Sequence, residues 1–257
     1  MSASRSDTAN GPPVAAFGAL LRCEAKLALR TPIGLVSGIG LPLVLVVVFG
    51  EISAHAASGV PGVTVMDLYV PILLAFSIAA LGLLRVPAPV VAYREQGILR
   101  RMSTTPVPPA WVLAAQMVVH LCMAVVASAA VLVASVAGFG AAAPRDVPAL
   151  LLAVLLTAAA LFSLGLLIAA RTRQAAAAGP IGGGLFFPLI FFAGLWLPQP
   201  LMPPVLRAIS DFTPLSAGVQ ATQAAMRGAF PPLQPLLVLA AYTALFAMLA
   251  VRFFRWE

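Results

Sequence analysis

The sequence predicts an all-α integral membrane protein that crosses the bilayer six times, and composition and charge spacing carry that prediction. Of the 257 residues, 61% are hydrophobic and only 9% are charged, with a mean hydropathy of +1.03. A soluble domain carries roughly 25% charged residues. The charges are also clustered, so that long uncharged stretches alternate with short charged segments. About 20 consecutive apolar residues form a helix long enough to cross a bilayer.

The chain before the first span divides into a tail and a helix. Residues 1–13 are polar and rich in Ser, Gly and Pro, which predicts a flexible tail rather than a signal peptide. Over residues 17–30, Arg22, Lys26 and Arg30 recur every four positions and form a cationic stripe beside an apolar flank. This pattern predicts a helix in the membrane interface, with its cations near anionic headgroups. A solvated helix with a chance stripe is the alternative.

Residues 14–257 read as a single transmembrane domain. Arg30 and Glu51 bracket twenty uncharged residues, and Thr31-Pro32 is a helix-start signal for span one. Residues 51–66 contain Gly59, Pro61 and Gly62 and read as a loop. The predicted spans are about 32–50, 68–92, 110–137, 147–170, 175–197 and 236–251.

Span two ends in an unusual sequence. Asp67 can cap its start, while Arg85 interrupts its apolar run and Pro87 and Pro89 follow, which predicts a kink or break. An arginine near the end of a span extends its guanidinium to the interface, whereas one at mid-depth marks a substrate pathway. Both interpretations of Arg85 stay open.

Span five is interrupted by small residues and prolines, at Gly179-Pro180, at 182–184 (three glycines) and at Pro188. Such interruptions permit close helix approach and mark the broken helices that line cavities in transporters. A loosely packed span that its neighbours tolerate is the alternative.

A short basic segment, residues 93–106, separates spans two and three. Ile98, Leu99 and Met102 can share one face of a short helix, which Pro106 ends. Such an amphipathic helix either lies on the lipid surface or docks its apolar face into a partner. The arginines lie largely off that face: Arg94, Arg100 and Arg101.

The basic residues predict the orientation of the spans. With both termini cytoplasmic, only Arg145, Arg207 and Arg227 of the 15 basic residues fall outside. Such an asymmetry fits the positive-inside rule. The cytoplasmic set is Arg5, Arg22, Lys26, Arg30, Arg85, Arg94, Arg100, Arg101, Arg171, Arg173, Arg252 and Arg255.

The sequence lacks the motifs of an autonomous enzyme. Its one lysine, Lys26, does not follow a Gly-rich loop, so the chain holds no phosphate-binding loop. It also holds no paired carboxylates inside the spans, no His/Cys metal cluster and no GxSxG motif. We therefore expect no enzyme activity, no metal site and no directly bound cofactor. The net charge of +7 follows membrane topology, so we expect no nucleic-acid partner.

Two motifs resemble those of type-2 ABC transporter permeases. After span two the chain reads Arg94-Glu95-x-Gly97-x-Leu99-x-x-Met102-x-x-Thr105-Pro106, close to the family's R/E-E-x-G-T-L-x-x-L-x-x-[ST]-P, with Ile98 in place of Thr and Met102 in place of Leu. The chain before the last span resembles the family's outer segment through Met202-Pro203, Phe212-Thr213-Pro214-Leu215 and Arg227-Gly228. An Asn is common in the family in place of Phe212-Thr213. The likeness covers about residues 17–255.

The resemblance implies the permease half of an ATP-driven exporter: two permease subunits, alike or different, and two cytoplasmic ATPase subunits that bind the ATP, in a bacterial cell membrane. The interfacial helix resembles the family's connecting helix, and the basic segment its coupling helix. Spans one, two and five would face the second permease and form the path. The passenger would be apolar or amphipathic, such as a drug, an antibiotic or a lipid, as in multidrug efflux. The expected coupling residues are Arg94, Glu95, Gly97, Ile98, Leu99 and Met102. The expected path residues are Phe186, Phe187, Phe191, Phe192 and Trp196.

A channel or membrane scaffold that works without ATP is the alternative function. It would be stable and active without an ATPase partner, and it leaves the Gly-containing basic segment unexplained. An adjacent reading frame with a phosphate-binding loop would favour the exporter.

The arginines of the basic segment are expected to serve topology. Replacing both Arg100 and Arg101 with Gln should weaken the orientation of the spans, because positive charges hold a loop inside, yet leave assembly with the ATPase intact. Accessibility of cysteines placed in the loops reports orientation, and co-purification reports assembly. Loss of assembly with unchanged orientation would contradict this assignment.

Overall fold

The computed structural model describes residues 13–31, 36–55, 63–102, 104 and 108–254, and most of these residues are helical. Six helices in this part of the chain are long and apolar enough to cross a membrane, which confirms the predicted all-α fold with six spans. A helix over Pro13–Arg30, called the interfacial helix after its predicted position, precedes them. The spans are Val36–Gly40 continued by Leu41–His55, then Val65–Glu95, Pro109–Phe139, Val147–Arg171, Ala175–Ala193 and Leu233–Phe253. Shorter helices are Ile98–Met102, Gln199–Leu201, Pro204–Ser210 and Pro214–Met226.

The span boundaries depart from the sequence reading at several ends. Span one continues past Glu51 to His55. Span two begins at Val65 with Thr64 as its N-cap, so Asp67 is not the cap itself. The Asp67 carboxylate instead accepts a hydrogen bond of 3.1 Å from the Thr64 backbone N–H. In return, the Asp67 backbone N–H donates to the Thr64 hydroxyl oxygen. This reciprocal pair is a capping box.

Some predicted features lie outside the described residues. They are the tail over residues 1–12, the start of span one at 32–35, the loop residues Gly59, Pro61 and Gly62, the segment 105–107 with Pro106, and the C-terminal residues Arg255 and Trp256.

Span two is the central helix of the bundle. Of its most apolar stretch, 89% is buried inside the chain, compared with 22% for spans one and five and 11% for span six. Spans one, three, four and five and the short helix Pro214–Met226 all pack against it. Span two is therefore covered by its own chain, whereas the family likeness had it facing a second permease beside spans one and five.

A π-helical segment, Ala80–Arg85, interrupts span two where the prolines predicted a kink. Pro87 has no N–H and its ring would press on the carbonyl four residues earlier, that of Leu83. The π segment removes this conflict by widening one turn, in which the Val86 N–H donates to the Leu81 carbonyl at 3.1 Å. The helix thus continues to Glu95 after a single bend at Val86 instead of breaking.

Two glycines of neighbouring spans lie directly against this π segment. A methyl group on Gly165 of span four would clash with the Gly82 carbonyl oxygen. A methyl group on Gly182 of span five would clash with the Leu83 carbonyl oxygen. Small residues let helix backbones approach closely in a membrane, where packing rather than hydrophobicity drives association. These two contacts bring the backbones of spans four and five directly against the π segment.

The chain between spans five and six enters the bundle at the end opposite its basic segments. Helix Pro214–Met226 is largely buried, although the sequence indicated only a short helix in a non-spanning region. The Ser210 hydroxyl donates to the Phe192 carbonyl at 2.7 Å, and the Gln199 side-chain amide donates to the Ser210 hydroxyl at 2.7 Å. These bonds tie the end of span five to the end of helix Pro204–Ser210. A hydrogen bond of 2.9 Å between the Ser210 and Ser216 hydroxyls continues the network into helix Pro214–Met226.

The glycine contacts predict a selective effect of adding one methyl group. Gly165→Ala and Gly182→Ala should each destabilise the protein by about 1–3 kcal/mol, because the backbone they touch has no room to yield. Gly183→Ala is the matched control, since no atom of the described chain lies within 4 Å of the added carbon. Thermal unfolding in detergent measures the difference; equal melting temperatures for Gly182→Ala and Gly183→Ala would contradict the close packing.

Candidate functional site at the arginine-rich end of the bundle

The basic segments that are far apart in sequence meet at one end of the bundle, here called the arginine-rich end. The Arg94 guanidinium donates to the Thr172 carbonyl oxygen in the loop between spans four and five. The neighbouring Glu95 carboxylate accepts the backbone N–H of Ala175, the first residue of span five, at 3.1 Å. A carboxylate at a helix N-terminus satisfies a free N–H and complements the helix dipole. The end of span two therefore holds this loop through two adjacent side chains.

The end of the last span completes this surface. The Arg171 guanidinium lies over the Phe253 ring, 4.6 Å from its centroid, a cation–π contact. A cavity of about 590 Å³ opens between these elements. Its lining is Arg94, Glu95, Ala170, Arg171, Thr172, Arg173 and Phe253.

A tight turn follows span two and aims the next helix. Gly97 has φ of +66°, a left-handed conformation that residues with a Cβ rarely adopt. Its N–H donates to the Arg94 carbonyl at 3.0 Å, and the Gln96 N–H donates to the Ala92 carbonyl at 2.9 Å. These bonds cap the end of span two, and the chain then enters helix Ile98–Met102, as the pattern predicted.

The apolar face of this short helix is divided. Leu99 is only 1% exposed, so in this conformation it anchors the helix on its own chain and offers no surface to a partner. Ile98 and Met102 are half-buried, while Arg100 and Arg101 are exposed. The predicted outward face of three apolar residues therefore differs from the structure at Leu99.

A buried carboxylate joins the interfacial helix to the same site. Glu24 is 8% exposed, and the Tyr93 hydroxyl donates to its carboxylate oxygen at 2.7 Å. Burial raises the pKa of Glu24 above its ordinary value, and the hydrogen bond from Tyr93 partly opposes that rise. The sequence analysis missed this pair. Glu24 lies four residues after Leu20 and four before Ala28, which places it within the apolar flank of the helix. This spacing was the available sequence signal that the carboxylate is buried.

A polar group that the sequence analysis also missed lies inside the bundle. His120 of span three is buried, and its ring nitrogen bonds to the Gln116 carbonyl oxygen at 2.8 Å. The half-buried Arg85 is close enough to His120 to interact with it electrostatically. Within the described residues, the Gln116 side-chain oxygen is buried without a hydrogen-bond partner. Span three therefore carries a buried histidine and a buried amide inside the bundle.

The aromatic residues of span five face in different directions. Phe186 is 6% exposed and packs edge-on against Phe76 of span two, with ring centroids 5.2 Å apart. Phe187 and Trp196 are 63% and 57% exposed, and Phe191 lies between them near Trp196. Phe192 is half-buried beside Phe191. Only the outward-facing members of the predicted path set are placed to touch a passenger, a lipid or a second subunit.

Comparison with known proteins agrees with this architecture. The sequence matches the family described as ABC-2 type transporter over residues 15–227, from the interfacial helix to the end of helix Pro214–Met226. No curated protein matches the chain. The match covers most of the sequence, so the chain belongs to the ABC-2 type transporter family. It is a multi-pass membrane permease component of an ABC transporter.

The Glu24–Tyr93 contact predicts a pH dependence. Because the pKa of Glu24 is raised on folding, the folded state holds its proton more tightly than the unfolded chain. This contribution to stability is complete below the ordinary pKa of 4.5 and is lost as the pH rises through the raised value. Glu24→Gln, which cannot ionise, should remove that loss.

Melting temperatures in detergent between about pH 4 and 8, on either side of the ordinary pKa of a glutamate, measure the effect. The variant should gain stability relative to the wild type as the pH rises. Glu51→Gln, at an exposed carboxylate, is the control and should follow the wild type. A constant difference between the wild type and Glu24→Gln across the range would contradict the buried carboxylate.

Proposed function

We propose that this permease is half of an ATP-driven exporter, in which two cytoplasmic ATPase subunits supply the free energy and a second permease, the same or related, completes the membrane part. The family match supports the permease assignment. The single observation that carries the proposal further is the pair of hydrogen bonds by which Arg94 and Glu95 hold the loop between spans four and five.

The arginine-rich end is the side on which the ATPase would bind. It carries the basic segments that the positive-inside rule assigns to the cytoplasm. ATP would bind the partner subunits, since the chain has no phosphate-binding loop of its own.

The geometry supports a simple route for coupling. Helix Ile98–Met102 would receive the movement of the ATPase through Ile98 and Met102, with Leu99 fixing the helix to the chain. A turn of two residues, Gln96 and Gly97, joins that helix to span two. Because Arg94 and Glu95 also hold the loop before span five, spans two and five would move together. Two arrangements of the bundle, biased by the nucleotide state, would then alternate.

The exposed surface supports an apolar or amphipathic passenger moved outward. Spans one and five bury the same small share of their length. Phe187 and Phe191 of span five and Trp196, which follows its end, form an aromatic surface. With a second permease against spans one and five, this surface would line the path between the two subunits. A drug, an antibiotic or a lipid has the matching chemistry, and a bacterial cell membrane would be the setting.

The proposal predicts that a charge at Ile98 disrupts ATPase binding. Ile98→Asp should lower co-purification of the ATPase subunit by about tenfold, equivalent to 1.4 kcal/mol, because a carboxylate would be desolvated at the contact. Ile209→Asp is the matched control, an exposed isoleucine on helix Pro204–Ser210 at the opposite end. Co-expression with the ATPase subunit and pull-down in detergent measure assembly. Normal assembly and ATPase activity for Ile98→Asp would refute the docking assignment.

A further inference from the structure

A groove runs between the interfacial helix and span three. The interfacial helix packs along span three, with Phe17 edge-on against Trp111 at a centroid distance of 5.8 Å. Beyond that contact the two helices enclose a groove of about 490 Å³. This volume falls within the range of small-molecule sites, ~300–1,000 Å³. Its lining includes Arg22, Ala25 and Ala28 of the interfacial helix and Val118, Cys122 and Val126 of span three.

The lining is apolar except at one edge. Arg22 is the charged residue among the lining residues, and it is exposed. The exposed Lys26 and Arg30 continue the cationic stripe along the same helix, one turn apart. The groove is therefore amphipathic, with an apolar floor and a cationic rim.

The surroundings of the groove are apolar surface of the spans. Val118 and Val126 of span three and Leu29 of the interfacial helix line the groove and are exposed. A molecule already dissolved in the bilayer could therefore enter from the side. An acyl chain fits the apolar floor, and a negatively charged headgroup complements the rim, since a basic residue near an anionic lipid surface contributes favourably to binding.

We propose that this groove binds an anionic phospholipid of the bilayer, with an acyl chain along Ala25, Ala28 and Val118 and its phosphate against Arg22 and Lys26. A bound lipid would fix the angle between the interfacial helix and span three. The same helix holds Glu24 against Tyr93, so the lipid would also stabilise the arginine-rich end.

Cys122 provides a direct probe of occupancy. It lines the groove and is exposed, and the only other cysteine, Cys23, can be replaced by Ser. In the delipidated full-length Cys23→Ser protein, maleimide labelling of Cys122 should slow about tenfold with phosphatidylglycerol. Phosphatidylcholine with the same acyl chains should slow it far less. Equal protection by both lipids would show a non-selective lipid shell and overturn the proposal, as would no protection by phosphatidylglycerol.

Two pairs of variants separate headgroup from acyl-chain binding. Arg22→Gln with Lys26→Gln should weaken protection by phosphatidylglycerol about tenfold. Arg207→Gln, at an exposed arginine on helix Pro204–Ser210, should not.

Ala25→Phe should fill the groove and abolish the lipid retained in native mass spectra. Ala137→Phe, at an exposed alanine near the far end of span three, should retain it. Wild-type protection by the double variant would overturn the headgroup site even if Ala25→Phe failed to fold. These measurements need neither the ATPase nor transport. A negative result would therefore refute the lipid site without bearing on the proposed function.

Discussion

The close approach of spans four and five to the backbone of span two is the constraint on which the rest of the structure depends. Pro87 has no backbone N–H to donate to the preceding turn, and a π segment accommodates it. In this segment the carbonyls of Gly82 and Leu83 lie against glycines of spans four and five. Only a hydrogen at Gly165 and Gly182 fits this distance. In a bilayer such packing replaces the hydrophobic effect as the force that orders helices. Span two is thereby fixed as the axis around which the other spans pack.

That axis has a defined connection at each end. At one end the capping box of Thr64 and Asp67 begins the helix, and Asp67 also accepts the Ala142 N–H at 3.4 Å from the chain after span three. At the other end Arg94 and Glu95 hold the loop before span five, while Tyr93 holds Glu24 of the interfacial helix. A displacement of the turn at Gly97 would therefore reach two parts of the molecule, the loop before span five and the interfacial helix, through three consecutive side chains. The proposed coupling to an ATPase depends on these contacts.

Hydropathy and charge predicted the spans well because a bilayer imposes length and excludes unpaired charge. The short helix Ile98–Met102 followed from local chemistry, the spacing of its apolar residues, whereas the left-handed turn at Gly97 was not predicted. The inward position of Leu99 did not follow, and neither did the division between Phe186 and Phe187. Lipid and protein interior are equally apolar, so composition cannot tell which side of a span meets its own chain. The burial of helix Pro214–Met226 was missed for a related reason, because polar residues such as Ser216 find partners only in the assembled bundle.

We propose that the arginine-rich end of this permease contacts the ATPase. A photo-crosslinking amino acid at Ile98, with the same residue at Ile209 as reference, can detect this contact in membranes that contain both subunits. We expect a crosslinked product of permease and ATPase from position 98 and none from position 209. A product from position 209 alone, or none from position 98 in membranes where the complex assembles, would contradict it.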